Sequence, residues 1–237
     1  MADFVSRDEA RVLAEASVAV ARRFAAGATM WCVAPDFPDH GQHVAVEFVH
    51  PVIVGKRALP AYCVDGADPV ARLRLLAKPG DILVAIGYAG DHRLVEVLKR
   101  ADPWGLTSLW IGAATSPGEN PPAEFSIAVS TEEMATASLS GELVLRYHLL
   151  WELVHVVFEH PGLLAADKEE CDGEVCITCS DEGRVAEVVR VEGTEAEVLA
   201  GGQRETVDLS LVEDVGAGDM VLVHAGVAIS LLEGAAR

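Results

Sequence analysis

Two groups of residues in this 237-residue chain have the type and spacing to do chemistry. The first is Cys176-Ile177-Thr178-Cys179, with Cys171 a short way upstream. A Cys-x-x-Cys pair supports thiol–disulfide redox chemistry or half of a zinc site, and it also arises by coincidence. No second pair of this kind completes a structural zinc site, so a redox or metal switch would have to centre on Cys171, Cys176 and Cys179. A thiol that reacts or ligates must ionise, which requires an exposed, polarised setting. The second group is His43 and Glu47, four residues apart and therefore on one face of a helix. Imidazole and carboxylate suit zinc if a third ligand converges on them, and the same two residues can equally be a hydrogen-bonded surface pair. His224 closes the apolar run Val221-Leu222-Val223, as a functional group or as a histidine at a strand end. Cys32 and Cys63 lie in apolar segments and read as core residues. His40, His50, His92 and His148 read as ordinary surface or interface histidines.

The elements that must position these residues change character along the chain. Ser6-Arg7-Asp8-Glu9 is a capping box that opens a helix with Leu13, Ala16, Val20 and Phe24 on one face. Short apolar strands are expected at 29–34, 82–86, 107–111 and 125–129. Between them, Asp68-Pro69 and Asp91 start helices, and a long helix runs from about Glu142 to His160, where Pro161-Gly162 stops it. Strands that alternate with helices and are apolar throughout predict a parallel α/β sandwich of flavodoxin-like type. The last helix carries Leu143, Leu149, Leu150, Leu153, Val154, Val157 and Phe158, more apolar surface than one sheet face needs, so it is expected to dimerise. Beyond an acidic linker, short strands broken by Gly193, Gly201-Gly202 and Gly216-Ala217-Gly218 predict a five-stranded barrel of OB type. The expected domains are 1–162, a linker at 163–174, and the barrel at 175–237.

Composition narrows the function. The net charge is −19, and from Asp167 onward five basic residues face seventeen acidic ones, net −12, leaving −7 for the first 166 residues. Nucleic-acid binding rests on phosphate neutralisation by basic residues, so this balance argues against it. No apolar run approaches the ~20 residues of a membrane span, and no signal peptide is read at the N-terminus. Five cysteines, without disulfide-framework spacing, fit a reducing cytoplasm.

Two resemblances extend this reading. Gly218-Asp219-Met220-Val221-Leu222-Val223-His224-Ala225-Gly226-Val227-Ala228-Ile229 closely fits the closing strand, "G-D-x-V-L-V-H-x-G-x-A-I", of HypC/HupF-type [NiFe]-hydrogenase maturation chaperones. With the cysteine segment, the similarity spans about 175–235. It implies an accessory chaperone that carries or transfers an Fe(CN)2CO group with a HypD-like partner, for delivery to the hydrogenase large-subunit precursor. By position it implies Cys176 and His224 as the iron-carrying groups, with Cys179 as an additional thiol. Here Cys176 is internal, whereas the stand-alone chaperones expose it beside a free amine. The N-terminal half resembles SIS (sugar isomerase) proteins, particularly phosphoheptose isomerases. The likeness rests on the segment from Trp31-Cys32-Val33 to His43-Val44-Ala45-Val46-Glu47 and on Gly80-Asp81-Ile82-Leu83-Val84-Ala85-Ile86. It implies zinc at His43 and Glu47 with His155 of the last helix, although Tyr147 stands where the family has a glutamine. It also implies the alternative function, a sugar-phosphate isomerase or a sugar-phosphate-binding regulator. The family's phosphate loops are replaced by Ala34-Pro35-Asp36-Phe37-Pro38-Asp39 and Gly87-Tyr88-Ala89-Gly90-Asp91-His92. Prolines delete backbone donors and the aspartates repel a dianion, so a non-enzymatic role is the expectation.

Overall fold

The computed structural model describes residues 6–66, 68–114, 120–136, 141–165 and 183–233. The chain divides into two compact units, Met1–Ala101 with Thr107–Ala165, and Asp102–Leu106 with Ala166–Arg237. Residues 166–174 of the expected linker lie outside the described residues, as do Cys171, Cys176 and Cys179.

The first unit is built on five parallel strands, β1 (Met30–Val33), β2 (Ala61–Cys63), β3 (Ile82–Tyr88), β4 (Thr107–Ala113) and β5 (Phe125–Ala128), in the order β2-β1-β3-β4-β5. Such an order is doubly wound, and it reverses direction between β1 and β3. Its helices are α1 (Arg7–Ala25), α2 (Pro38–Val49), α3 (Pro69–Leu76), α4 (His92–Ala101), α5 (Thr131–Thr136) and α6 (Glu142–Glu159). Ile82, Val84 and Ile86 of β3 join one core with Leu13, Val20, Phe48, Leu150 and Val154 from α1, α2 and α6. Leu83 and Ala85 point to the opposite face by strand alternation and are just as fully buried, so both faces are covered. Gly112 of β4 stands opposite Gly87 of β3, and a side chain there would collide with the Gly87 carbonyl.

Local signals act as the residue types dictate. Ser6 Oγ accepts from the Glu9 amide at 3.2 Å, and Asp68 Oδ1 accepts from Ala71 at 2.9 Å. The Glu9 side chain does not close the capping box. It takes the buried Arg146 of α6 at 2.7 Å and ties the first helix to the last. Leu143, Leu150, Val154 and Val157 of α6 belong to the core, and Leu149, Leu153 and Phe158 pack partly against it. Most of the surface expected to be surplus is therefore occupied within the unit.

The second unit is a closed barrel of β6 (Arg184–Glu192), β7 (Glu195–Ala200), β8 (Gln203–Asp208), β9 (Met220–His224) and β10 (Val227–Glu233), in the order β10-β8-β7-β6-β9. Closure removes the exposed edges of a small sheet. Val188, Val198, Val207, Val221 and Val223 fill it, with alanines at 186, 196, 200 and 228. The Gly218–Ile229 motif is two strands, not one. Ala225 and Gly226, at φ 48° and 80°, form a tight turn that sends β10 back along β9.

Candidate functional sites

In the barrel, β9 buries Val221 and Val223 and leaves Leu222 and His224 half-exposed on the outer face. β6 runs antiparallel to β9 with Arg184 opposite Val223, so the chain enters the barrel at the end where β9 delivers His224. A Cβ on Gly183 would lie 3.3 Å from the Leu222 side chain, two residues before His224.

In the α/β unit, α2 and α6 bring a polar cluster together. His43 Nε2 lies 3.2 Å from Glu47 Oε1, as their spacing on one helical face requires. His148 Nε2 completes a triangle, 3.4 Å from His43 Nε2 and 3.7 Å from Glu47 Oε1. Among the described residues these three form a group able to hold a metal ion. Tyr147 Oη sits 2.8 Å from His43 Nδ1 and 3.3 Å from His40 Nδ1. Trp151 Nε1 donates to the Glu47 carbonyl at 2.8 Å and clamps the two helices. Burial and the Glu47 carboxylate push the Tyr147 phenol well above its ordinary range, so it stays a proton donor. Burial lowers the His148 imidazole, with Glu47 opposing and His43 reinforcing the shift.

His155, expected as the third ligand, is not part of this group. It is buried, with Nδ1 2.8 Å from the Trp151 carbonyl and Nε2 3.0 Å from the Arg57 carbonyl, so both ring nitrogens are directed at backbone oxygens. His148 precedes it by seven residues, two helical turns, and thus lies on nearly the same face about 10 Å along the axis. Helical periodicity identifies that face without choosing the turn. His40 also departs from expectation: it is buried against Tyr147 and Phe37. Cys32 and Cys63 are paired on β1 and β2, and burial raises both thiols, Cys63 to about 12 with help from Asp65. Cys32 is a core residue as expected, whereas Cys63 is half-buried and packs only partly against the core.

A cleft of about 280 Å³ lies at the C-terminal ends of β1 and β2, lined by Ala34, Pro35, Pro38, Val64, Asp65, Gly66 and Arg93. Doubly wound sheets take their ligands at this position. Here the one cation of the lining is already held: Arg93 Nη2 donates to Asp36 at 2.5 Å and to Asp91 at 2.7 Å. Burial opposes ionisation of Asp91, yet the Arg93 side-chain and backbone bonds keep its carboxyl below the usual range. The sequence analysis did not find the Asp36–Arg93 pair, whose members are 57 residues apart.

The α/β unit is similar in fold to a phosphoheptose isomerase from Francisella tularensis, at 15% identity and TM-score 0.50, over 62% of this chain and 86% of that one. The sugar isomerase domain of an RpiR transcription factor from Sphaerobacter thermophilus aligns at 14% identity and TM-score 0.47, over 65% and 81%. Comparison with curated proteins finds no match. The barrel carries the sequence likeness, since residues 183–236 match the model of the HupF/HypC family.

Proposed function

We propose that this protein is an accessory factor of [NiFe]-hydrogenase maturation, in which the barrel carries or hands over an Fe(CN)2CO group with a HypD-like partner. The recipient is the hydrogenase large-subunit precursor. The observation that carries this reading is the HupF/HypC match over 183–236, which includes the β9–β10 hairpin and His224. Cys176 supplies a thiolate, a soft ligand suited to low-spin iron, and the half-exposed His224 supplies a compatible imidazole. Cys179 is an accessory thiol. Because Cys176 is internal to the chain, the free amine of the stand-alone chaperones is not required for transfer in this reading. A homodimer through the α/β unit belongs to the same proposal, using the surface that Leu149, Leu153 and Phe158 leave partly exposed. Light scattering on the full chain tests that part.

The test of function is complementation. Cells that make a [NiFe]-hydrogenase but lack this protein should regain hydrogenase activity with the wild-type chain. They should not regain it with Cys176→Ala, and His224→Ala should be strongly impaired. Cys179→Ala should be milder. Normal activity with Cys176→Ala would end the assignment.

A second reading, binding of a sugar phosphate, is favoured by the cleft at the strand ends and the Arg93 it contains. Against it stand Pro35 and Pro38, which offer no amide donors, and Asp36 and Asp91, which already neutralise Arg93. Calorimetric titration with sugar phosphates separates the readings, with no binding expected.

A further inference from the structure

We infer that the outer wall of the barrel carries a recognition site for an indole presented on a β-turn, built from the Glu187 carboxylate and the Gly201-Gly202 turn, and that residues 102–105 of this chain fill it as a latch. The segment Asp102–Leu106, which lies between α4 and β4 in the chain, belongs to the same compact unit as the barrel. Ala186 and Val188 of β6 are in the barrel core, so strand alternation turns Glu187 outward. An outward carboxylate is ordinarily solvated, yet Glu187 is only 3% exposed. Burying a carboxylate is costly unless a hydrogen-bond donor meets it. The Trp104 indole, itself 6% exposed, does so: its Nε1 donates to Glu187 Oε2 at 2.6 Å, across 83 residues of sequence. A bond from a neutral donor to a buried charge is stronger than one between neutral groups.

The backbone seats this indole. The Gly105 amide donates to the Asp102 carbonyl at 2.8 Å and closes a β-turn with Pro103 at its second position, where a fixed φ is favourable. The Pro103 carbonyl accepts from the Gly202 amide at 2.7 Å. Gly105, at φ 71°, comes so close to the β7–β8 turn that an added Cβ would lie 3.1 Å from the Gly201 carbonyl oxygen. Indole, carbonyl and glycine thus meet three parts of one site, and the turn that presents them is preorganised. Glu187 pairs with Met220 and Arg184 with Val223, so the latch sits three residues, about 10 Å, along the ladder from the His224 end. The stretch matched to HupF/HypC, 183–236, excludes 102–106, so the folding unit of the barrel is larger than that match.

Hydrogen exchange of the full chain, read residue by residue by NMR, tests the site. The Gly202 amide reports latch closure, because its acceptor is the Pro103 carbonyl. Trp104→Phe keeps a ring without the N–H, and Glu187→Gln removes the charge; each should speed Gly202 exchange by about 10–100-fold. The double variant should fall well short of the product of the two effects, since both changes break one bond. Effects that multiply in full would overturn the pairing. Trp104→Ala should speed the exchange by more than about 100-fold. Indole added to that variant should restore part of the protection, whereas 1-methylindole, which has no N–H to donate, should restore little. Equal recovery with the two compounds, or none with indole, would overturn the recognition site, and unchanged Gly202 exchange in Trp104→Ala would end the latch. If Trp104→Ala unfolds the barrel, the cycle of Trp104→Phe and Glu187→Gln decides. The readout is local exchange, so the result is independent of whether the barrel serves hydrogenase maturation.

Discussion

Val223 and His224 are adjacent on β9 and face opposite ways, which allows stability and function to be separated by two single substitutions. Val223 is 0% exposed within the barrel core. Val223→Ala removes two methyl equivalents, about 1.6 kcal/mol of transfer free energy, and the residual cavity raises the cost to about 2–3 kcal/mol. In a unit of this size each kcal/mol moves the melting temperature by about 4–8 °C, so the barrel transition should fall by roughly 10–20 °C. His224 lies on the outer, half-exposed face, and His224→Ala should cost no more than about 1 kcal/mol. Hydrogen exchange of the β9 and β10 amides in the full chain measures both values. Hydrogenase activity in complemented cells grown at low temperature gives the functional half. Val223→Ala should mature the enzyme where the barrel remains folded, and His224→Ala should not. The reasoning fails if His224→Ala opens the barrel as readily as Val223→Ala. It also fails if the two variants lose maturation to the same extent at low temperature.

Three other outcomes follow from the α/β unit. Asp36→Ala should release Arg93 into the cleft and produce weak inorganic phosphate binding, detectable by calorimetry, that the wild type lacks. Asp91 has a carboxyl held below its ordinary value of 3.8, so its contribution to folding is fully present above that value and is lost as pH falls through the lowered one. Asp91→Asn should accordingly flatten the acid limb of the stability–pH curve below about pH 4, as read by urea unfolding at each pH. Arg146→Ala leaves Glu9 largely buried without its guanidinium, and should cost about 3–5 kcal/mol in denaturant titration.

The parts of the fold that were legible in the sequence are those set by local physics. Ser6 and Asp68 cap the helices they were expected to start, because a cap needs only its own next three residues. β3 was readable as a run of five apolar residues, since a strand covered on both faces has no polar position. The β9–β10 hairpin was not, because Ala225-Gly226 lacks the Asn-Gly or Asp-Gly signature and the apolar pattern continues across it. β2, only three residues long, gave no periodicity to detect. His43 and Glu47 were legible together because helical geometry alone pairs them. His148 was not, because its meeting with His43 is set by the height at which α6 crosses α2, a tertiary quantity. The Asp36–Arg93 bond was hidden for the same reason.

The central claim is the proposed iron group carried on Cys176 and His224, and infrared spectroscopy addresses it most directly. The full chain, purified anaerobically with its HypD-like partner from hydrogenase-producing cells, should show the stretching bands of bound cyanide and carbon monoxide. Those bands should vanish in Cys176→Ala and weaken in His224→Ala, with the partner still bound. A partner complex without such bands in the wild type, or bands of full strength in Cys176→Ala, would contradict the account.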